Sequence, residues 1–109
     1  MKSADPISDQ VFHILLSLLD RPRHGYGIIQ EVEARTGGVF TIGSGTLYSA
    51  IKRMESDGWI ARVDGPAGED QRRKYYGLTP AGRKVIVAEA HRVTELAGYA
   101  RKLVLKRGT

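Results

Sequence analysis

A helical row of apolar residues that ends at a glycine and runs straight into two β-prone segments constrains this chain most. In residues 45–59, Leu47, Ile51 and Met54 recur at four- and three-residue steps, which puts them on one face of a helix. Thr46, Ser49, Lys52, Arg53 and Ser56 occupy the other faces. Gly58 stops the helix. Residues 59–63 and 72–78 then read as strands, and the turn-rich run 64–70 between them predicts a β-hairpin with a flexible tip. A helix with polar outer faces leading into a basic-edged hairpin is the layout of a winged helix-turn-helix.

The rest of the chain supplies the other helices of that layout. Residues 9–19 read as a helix capped by Ser8, and Val11, Phe12, Ile14, Leu15, Leu18 and Leu19 form a face wide enough to be sandwiched. After a turn at 20–25, residues 26–36 have helical spacing through Ile28, Ile29 and Val32, and Gly37 and Gly38 end them. The third helix is expected to start at Ser44 or Gly45. Thr79 followed by Pro80 gives a hydroxyl cap and a proline at the first helical position, so a last helix runs to about Lys106.

Along that last helix Ile86, Ala90, Val93, Ala97, Ala100 and Val104 repeat at three- and four-residue steps, with Leu96 and Leu103 beside them. At 1.5 Å per residue, ~25 residues exceed the width of a three-helix module, so a second chain, rather than the helix's own domain, is expected to cover this stripe. The expected fold is mainly α with a small β part (α+β): a winged helix-turn-helix over 1–79 and a C-terminal dimerisation helix over 80–109, packed on the same single domain. The expected dimer surface is Phe12 and Leu15 with Val93, Leu96, Ala97, Ala100 and Val104.

A chain of 109 residues with 41% hydrophobic content buries one small core and leaves no room for a second catalytic domain. Its longest continuous apolar run, 85–88, is far below the ~20 residues of a membrane span, and its start lacks the layout of a signal peptide. A cytoplasmic protein with no membrane association is expected. With no cysteine there are no disulfides or thiolate metal sites, and association of two chains is the economical source of extra stability. The net charge of +5 suggests an anionic partner, yet it resides mainly in residues 80–109, whose basic groups Arg101, Lys102, Lys106 and Arg107 read as a solvated helix face.

Double-stranded DNA is the expected partner because of local placement. A helix entering the major groove needs short or flexible polar groups at its leading end, and Ser44, Thr46 and Ser49 meet that need. Tyr48 is open between a hydroxyl donated to phosphate and a buried ring. Lys52 and Arg53 point about 100° apart, so only one reaches base edges; Lys52, one turn from Tyr48 and Ser49, is the better placed. Strand alternation over 72–78 would set Arg72 and Lys74 on one face with Tyr76 and Leu78, and Arg73 with Tyr75 and Gly77 on the other.

Other classes fit less well. Residues 38–46 imitate the spacing of a phosphate loop, but Ser44 replaces the lysine that must reach the phosphates. His13, His24 and His91 lie on different elements with no cysteine nearby, so neither a metal site nor a cofactor is expected, and no enzyme. A winged-helix module that binds a protein instead of DNA would need an apolar patch on the third helix, where this chain is polar and basic.

Four motifs in order resemble the PadR family of bacterial transcriptional regulators. They are His24, Gly25, Tyr26, Gly27 and Ile28; Gly45, Thr46, Leu47 and Tyr48; Lys52, Arg53, Met54 and Glu55 before Asp57 and Gly58; and Arg73, Lys74, Tyr75, Tyr76, Leu78, Thr79, Ala81 and Gly82. Ser49 stands where the family typically has proline, which frees an amide at the start of the third helix. The resemblance implies that Tyr26 clamps the DNA backbone, the alternative being a core aromatic. It also implies the shorter family architecture, in which N- and C-terminal helices pair across a dimer, and a repressor that releases DNA when a small molecule binds or the dimer changes shape. Phe12 and Tyr99 are the candidate walls of such an effector cavity, against ordinary aromatic packing.

Overall fold

The computed structural model describes residues 6–70 and 72–106. Its elements are α1 (Asp9–Ser17), β1 (Arg23–His24), α2 (Gly25–Arg35), α3 (Ser44–Ser56), β2 (Ile60–Val63), β3 (Tyr75–Leu78) and α4 (Pro80–Lys106). This is the winged-helix order that the patterning predicts. The antiparallel sheet has the order β1-β3-β2, with Arg23 opposite Tyr76 and Ile60 opposite Leu78.

Local chemistry sets the boundaries. The Ser8 hydroxyl accepts the Val11 amide to open α1, and the chain leaves α3 through Gly58 at φ +79°. Thr79 accepts the Gly82 amide while its own hydroxyl donates to the Gly58 carbonyl, tying the start of α4 to the end of α3. Gly82 is required there: a Cβ at this position would overlap the Trp59 carbonyl. One core, built on Ile14, Leu15, Ile28, Val32, Leu47, Ile51, Met54, Ile60, Tyr76 and Ile86, joins all four helices to the sheet.

Several expectations need correction. The turn at 20–25 contains a two-residue strand, and α2 starts at Gly25, one residue early, because the His24 ring caps it. α1 stops at Ser17, where Arg23 donates to the Ser17 carbonyl and also pairs with Asp20 and Glu31. β3 starts only at Tyr75, so strand alternation does not govern Arg72, Arg73 and Lys74. Tyr75, Tyr76 and Gly77 are all buried, since β3 is the middle strand and is covered on both sides.

The two halves of α4 differ in burial. Its first turns fold back on the chain's own domain, burying Gly82, Ile86 and Glu89. From Val93 to Lys106 every residue is exposed, including Leu96, Ala97, Ala100 and Val104. Arg101 and Lys102 lie on this exposed part, and Arg107 falls outside the described residues. Among the described residues no helix is long and apolar enough to cross a membrane.

Candidate nucleic-acid interface

The row Leu47, Ala50, Ile51 and Met54 seats α3 in the core and turns its opposite side outward. Ser44, Thr46, Ser49, Lys52 and Arg53 are all exposed on that side. Thr46, Ser49 and Arg53 line a shallow groove of about 300 Å³ with Gln10, reached from the first turn of α1. Lys52 lies outside that groove, so the structure groups Arg53, not Lys52, with the short polar residues.

On the other flank of α3 a cleft of about 370 Å³ separates the start of α2 from the wing. Its walls are His24, Gly25, Tyr26, Tyr48, Arg72, Arg73 and Lys74. Tyr26 is 60% exposed and Tyr48 49% exposed, which removes the core-aromatic alternative for both. Gly25 makes the placement of Tyr48 possible: a Cβ on Gly25 would overlap the phenol oxygen and press on the ring. All three basic residues of the run 72–74 reach this cleft, not the pair that alternation selects.

Those three cations differ in what holds them. Arg72 is bidentate on Asp70, Nε to Oδ1 and Nη2 to Oδ2 at 3.2 Å each, and these bonds hold the Asp70 carboxyl below the usual carboxylate range. Arg73 places Nη1 2.9 Å from His24 Nε2, while His24 Nδ1 accepts the Gly27 amide at 3.0 Å. Burial, and then the charge of Arg73, push the His24 ring below its ordinary value against the opposing pull of Glu69. The Tyr75 ring meets His24 edge-on at 5.3 Å and donates its hydroxyl to Glu69; burial first, then that bond, push the Tyr75 phenol up.

His24 and Gln10 are therefore cleft residues that sequence reasoning missed, and Arg73, which strand alternation set apart from Arg72 and Lys74, joins them in the cleft. The spacing from His24 to Gly27 was a usable sign of a helix cap, but nothing in the sequence joins residue 24 to residue 73. Among the expected dimer residues, Leu15 is fully buried in its own core and has no surface to offer a partner. Phe12 is half-buried against that core, whereas Tyr99 is 63% exposed, and neither lines the two clefts. His13 stacks on Phe40 at 4.5 Å, whereas the His24 ring meets Tyr75.

Residues 14–88 match the model of the transcriptional regulator PadR-like family. The chain belongs to that family. PadR-like proteins are transcriptional regulators, not enzymes, and the matched span runs from α1 through the first turns of α4. The chain is 36% identical over 89 residues to the transcriptional regulator Rv3488 of Mycobacterium tuberculosis, covering 78% of this chain and 76% of that protein. It is 35% identical over 91 residues to a 37.1 kDa protein of transposon TN4556 from Streptomyces fradiae, covering 84% of this chain but only a quarter (25%) of that protein's length. Its fold resembles PadR of Bacillus subtilis, solved in complex with operator DNA, with a TM-score of 0.63 at 22% identity over 74% of this chain and 46% of that one.

Proposed function

We propose that this PadR-like chain is a DNA-binding regulator that reads an operator with α3 and grips the flanking backbone with the cleft between α2 and the wing. The observation that carries this is the gathering of Tyr26, Tyr48, Arg72, Arg73 and Lys74 beside a helix that turns Ser44, Thr46, Ser49, Lys52 and Arg53 outward. Ser44, Thr46, Ser49 and Arg53 face base edges, with Lys52 toward backbone; Tyr26 and Tyr48 donate hydroxyls to phosphate. The B. subtilis protein's capture with operator DNA supports the same use of the fold here.

The protein acts as a cytoplasmic homodimer on a palindromic site, half-sites about one helical turn, ~34 Å, apart, and represses transcription. Val93, Leu96, Ala97, Ala100 and Val104 form the dimer seam, which explains an apolar stripe left in water by a single chain. An apolar effector would enter between the paired helices, walled by Phe12 and Tyr99.

The test is anisotropy titration against duplex from upstream of the protein's own gene and against a shuffled duplex. Preference for the native fragment by about a thousandfold, saturating at two chains per site, is expected for specific recognition. Equal binding to both at only 10⁻⁴ to 10⁻⁶ M, the non-specific range, would refute operator reading at that site and favour a winged helix used on another partner.

A further inference from the structure

The contact between His24 and Arg73 does not satisfy itself. A neutral imidazole has one N–H and one lone pair, and a guanidinium has only N–H groups. The Gly27 amide aims its hydrogen at Nδ1, and Arg73 Nη1 lies 2.9 Å from Nε2. One lone pair therefore faces two donors. With Nδ1 accepting the helix cap, Nε2 carries the proton and meets an Arg73 N–H head on; protonating the ring adds a second such clash. Two N–H groups thus meet at His24 Nε2, while Arg73 also reaches the Tyr75 hydroxyl and Glu69 acts on the ring from the wing loop.

We propose that Arg73 and His24 together form a phosphate subsite, occupied by the DNA backbone when the regulator is bound. This rests on the DNA-binding reading above and assigns it a contact outside α3. An oxyanion placed between the two side chains accepts from Arg73 and from His24 Nε2–H at once; the neutral ring keeps Nδ1 on the Gly27 amide, and the protonated ring gives that cap bond up, a cost equal in the free and bound protein. Lys74 and the hydroxyls of Tyr26 and Tyr48 line the same cleft and add positive charge and donors. Arg72 contributes less, because Asp70 already holds its guanidinium by two hydrogen bonds.

The groups around the ring fix the direction of its proton linkage. His24 is faced by Arg73 and Lys74 ahead of β3, Tyr75 on β3, Glu69 on the wing loop, Arg23 on β1, Arg21 before it, and Glu31 on α2. In the free protein burial and Arg73 disfavour the charged ring. A phosphate that neutralises Arg73 removes part of that penalty and adds an attraction of its own, so binding takes up a proton at His24 and tightens as pH falls.

The experiment follows binding of a short labelled duplex across salt and from about pH 8 to about pH 6, the range in which histidines titrate, for the full chain and for Arg73→Gln, Arg72→Gln and His24→Asn. Asparagine is a competent N-cap, so the last variant keeps α2 while it loses both the Nε2–H donor and the titration. Arg73→Gln is expected to reduce the slope of log affinity against log salt by about 0.9 per bound chain, and Arg72→Gln by less than half as much. His24→Asn is expected to flatten the rise in affinity on acidification. A wild-type chain that binds DNA while Arg73→Gln keeps its salt slope, or His24→Asn keeps its pH profile, overturns the subsite and leaves the DNA-binding reading standing. A wild-type chain that binds no duplex overturns both. Inorganic phosphate supplies the second arm: if it moves the His24 ring resonance in wild type but not in Arg73→Gln while DNA does not, the anion is free phosphate and the DNA assignment fails.

Discussion

The Tyr48 hydroxyl lies against the Cα of Gly25, so that the first residue of α2 and the fifth of α3 share one volume. No side chain larger than hydrogen fits at Gly25 with the ring in place. The phenol thus stays at the floor of the cleft that opens on Tyr26, Arg72, Arg73 and Lys74.

Gly25→Ala is expected to push the Tyr48 ring aside while the core beneath α3 stays packed. DNA affinity should fall about tenfold, the size of one charge-assisted hydrogen bond of about 1.5 kcal/mol, and Tyr48→Phe should fall by a similar factor. Anisotropy titration measures both. Full affinity in Tyr48→Phe would show that the hydroxyl touches no phosphate.

Gly82→Ala tests the joint between α4 and the wing. The new methyl would meet a backbone carbonyl, that of Trp59, which cannot rotate away. A loss of about 1–3 kcal/mol, as for overpacking elsewhere, is expected, read as a lower urea midpoint with unchanged slope. An unchanged midpoint would mean that α4 shifts without cost.

Glu89 predicts how stability responds to acid. This buried carboxylate accepts from Arg92 Nε at 3.1 Å and Nη2 at 2.6 Å, and the Arg92 hydrogen bonds hold it below the ordinary glutamate range. Its folded value lies below its unfolded one, so its contribution is complete above about 4.3 and is lost as pH falls through the folded value. Glu89→Gln should cost on the order of 1 kcal/mol at neutral pH, discounted because Arg92 is partly in water, and the difference from wild type should vanish at low pH. Thermal melts along a pH series measure this; a difference constant with pH would remove Glu89 as the titrating group.

Val93→Asp places a charge in the exposed stripe of α4, where Val93, Ala97, Ala100 and Val104 share a face. A monomer in sedimentation and weaker DNA binding are expected, with the helical signal of the domain kept. A variant that stays dimeric would locate the seam elsewhere.

Lys52→Ala and Arg53→Ala separate the two cations of α3. Arg53 shares a groove with Thr46 and Ser49, and Lys52 does not. Loss of Arg53 should cost about 1–3 kcal/mol on the preferred operator and relax its sequence preference, while loss of Lys52 should weaken all duplexes alike. Competition with single-base operator variants distinguishes the two; equal relaxation by both variants would assign both to base edges.

The parts of this molecule legible in the sequence are those with a long period. The steps Leu47, Ile51, Met54 name the buried face of α3, and Thr79 with Pro80 names the start of α4, because each signal is local and repeated or chemically distinctive. β1 was invisible, since two residues carry no alternation and their pairing with Tyr75 and Tyr76 is purely tertiary. The wing cations were misassigned because a basic run contiguous with a strand reads as strand. The Asp70 carboxylate instead accepts from both the amide and the guanidinium of Arg72, and pairing begins only at Tyr75. Leu15 fits a dimer stripe and a core stripe equally well by spacing, and only packing decides between them.

β3 ends at Leu78, Thr79 bonds to both Gly58 and Gly82, and α4 starts at Pro80, so no slack chain separates the wing from the long helix. The reading surface and the helix axis form one lever arm. A 27-residue helix is about 40 Å long, and tilting it by about 10° about its far end sweeps the wing through about 7 Å, roughly the rise of two base pairs. In the proposed complex, whatever holds the exposed end of α4 would thereby set where on a duplex the wing lands, without touching α3 at all.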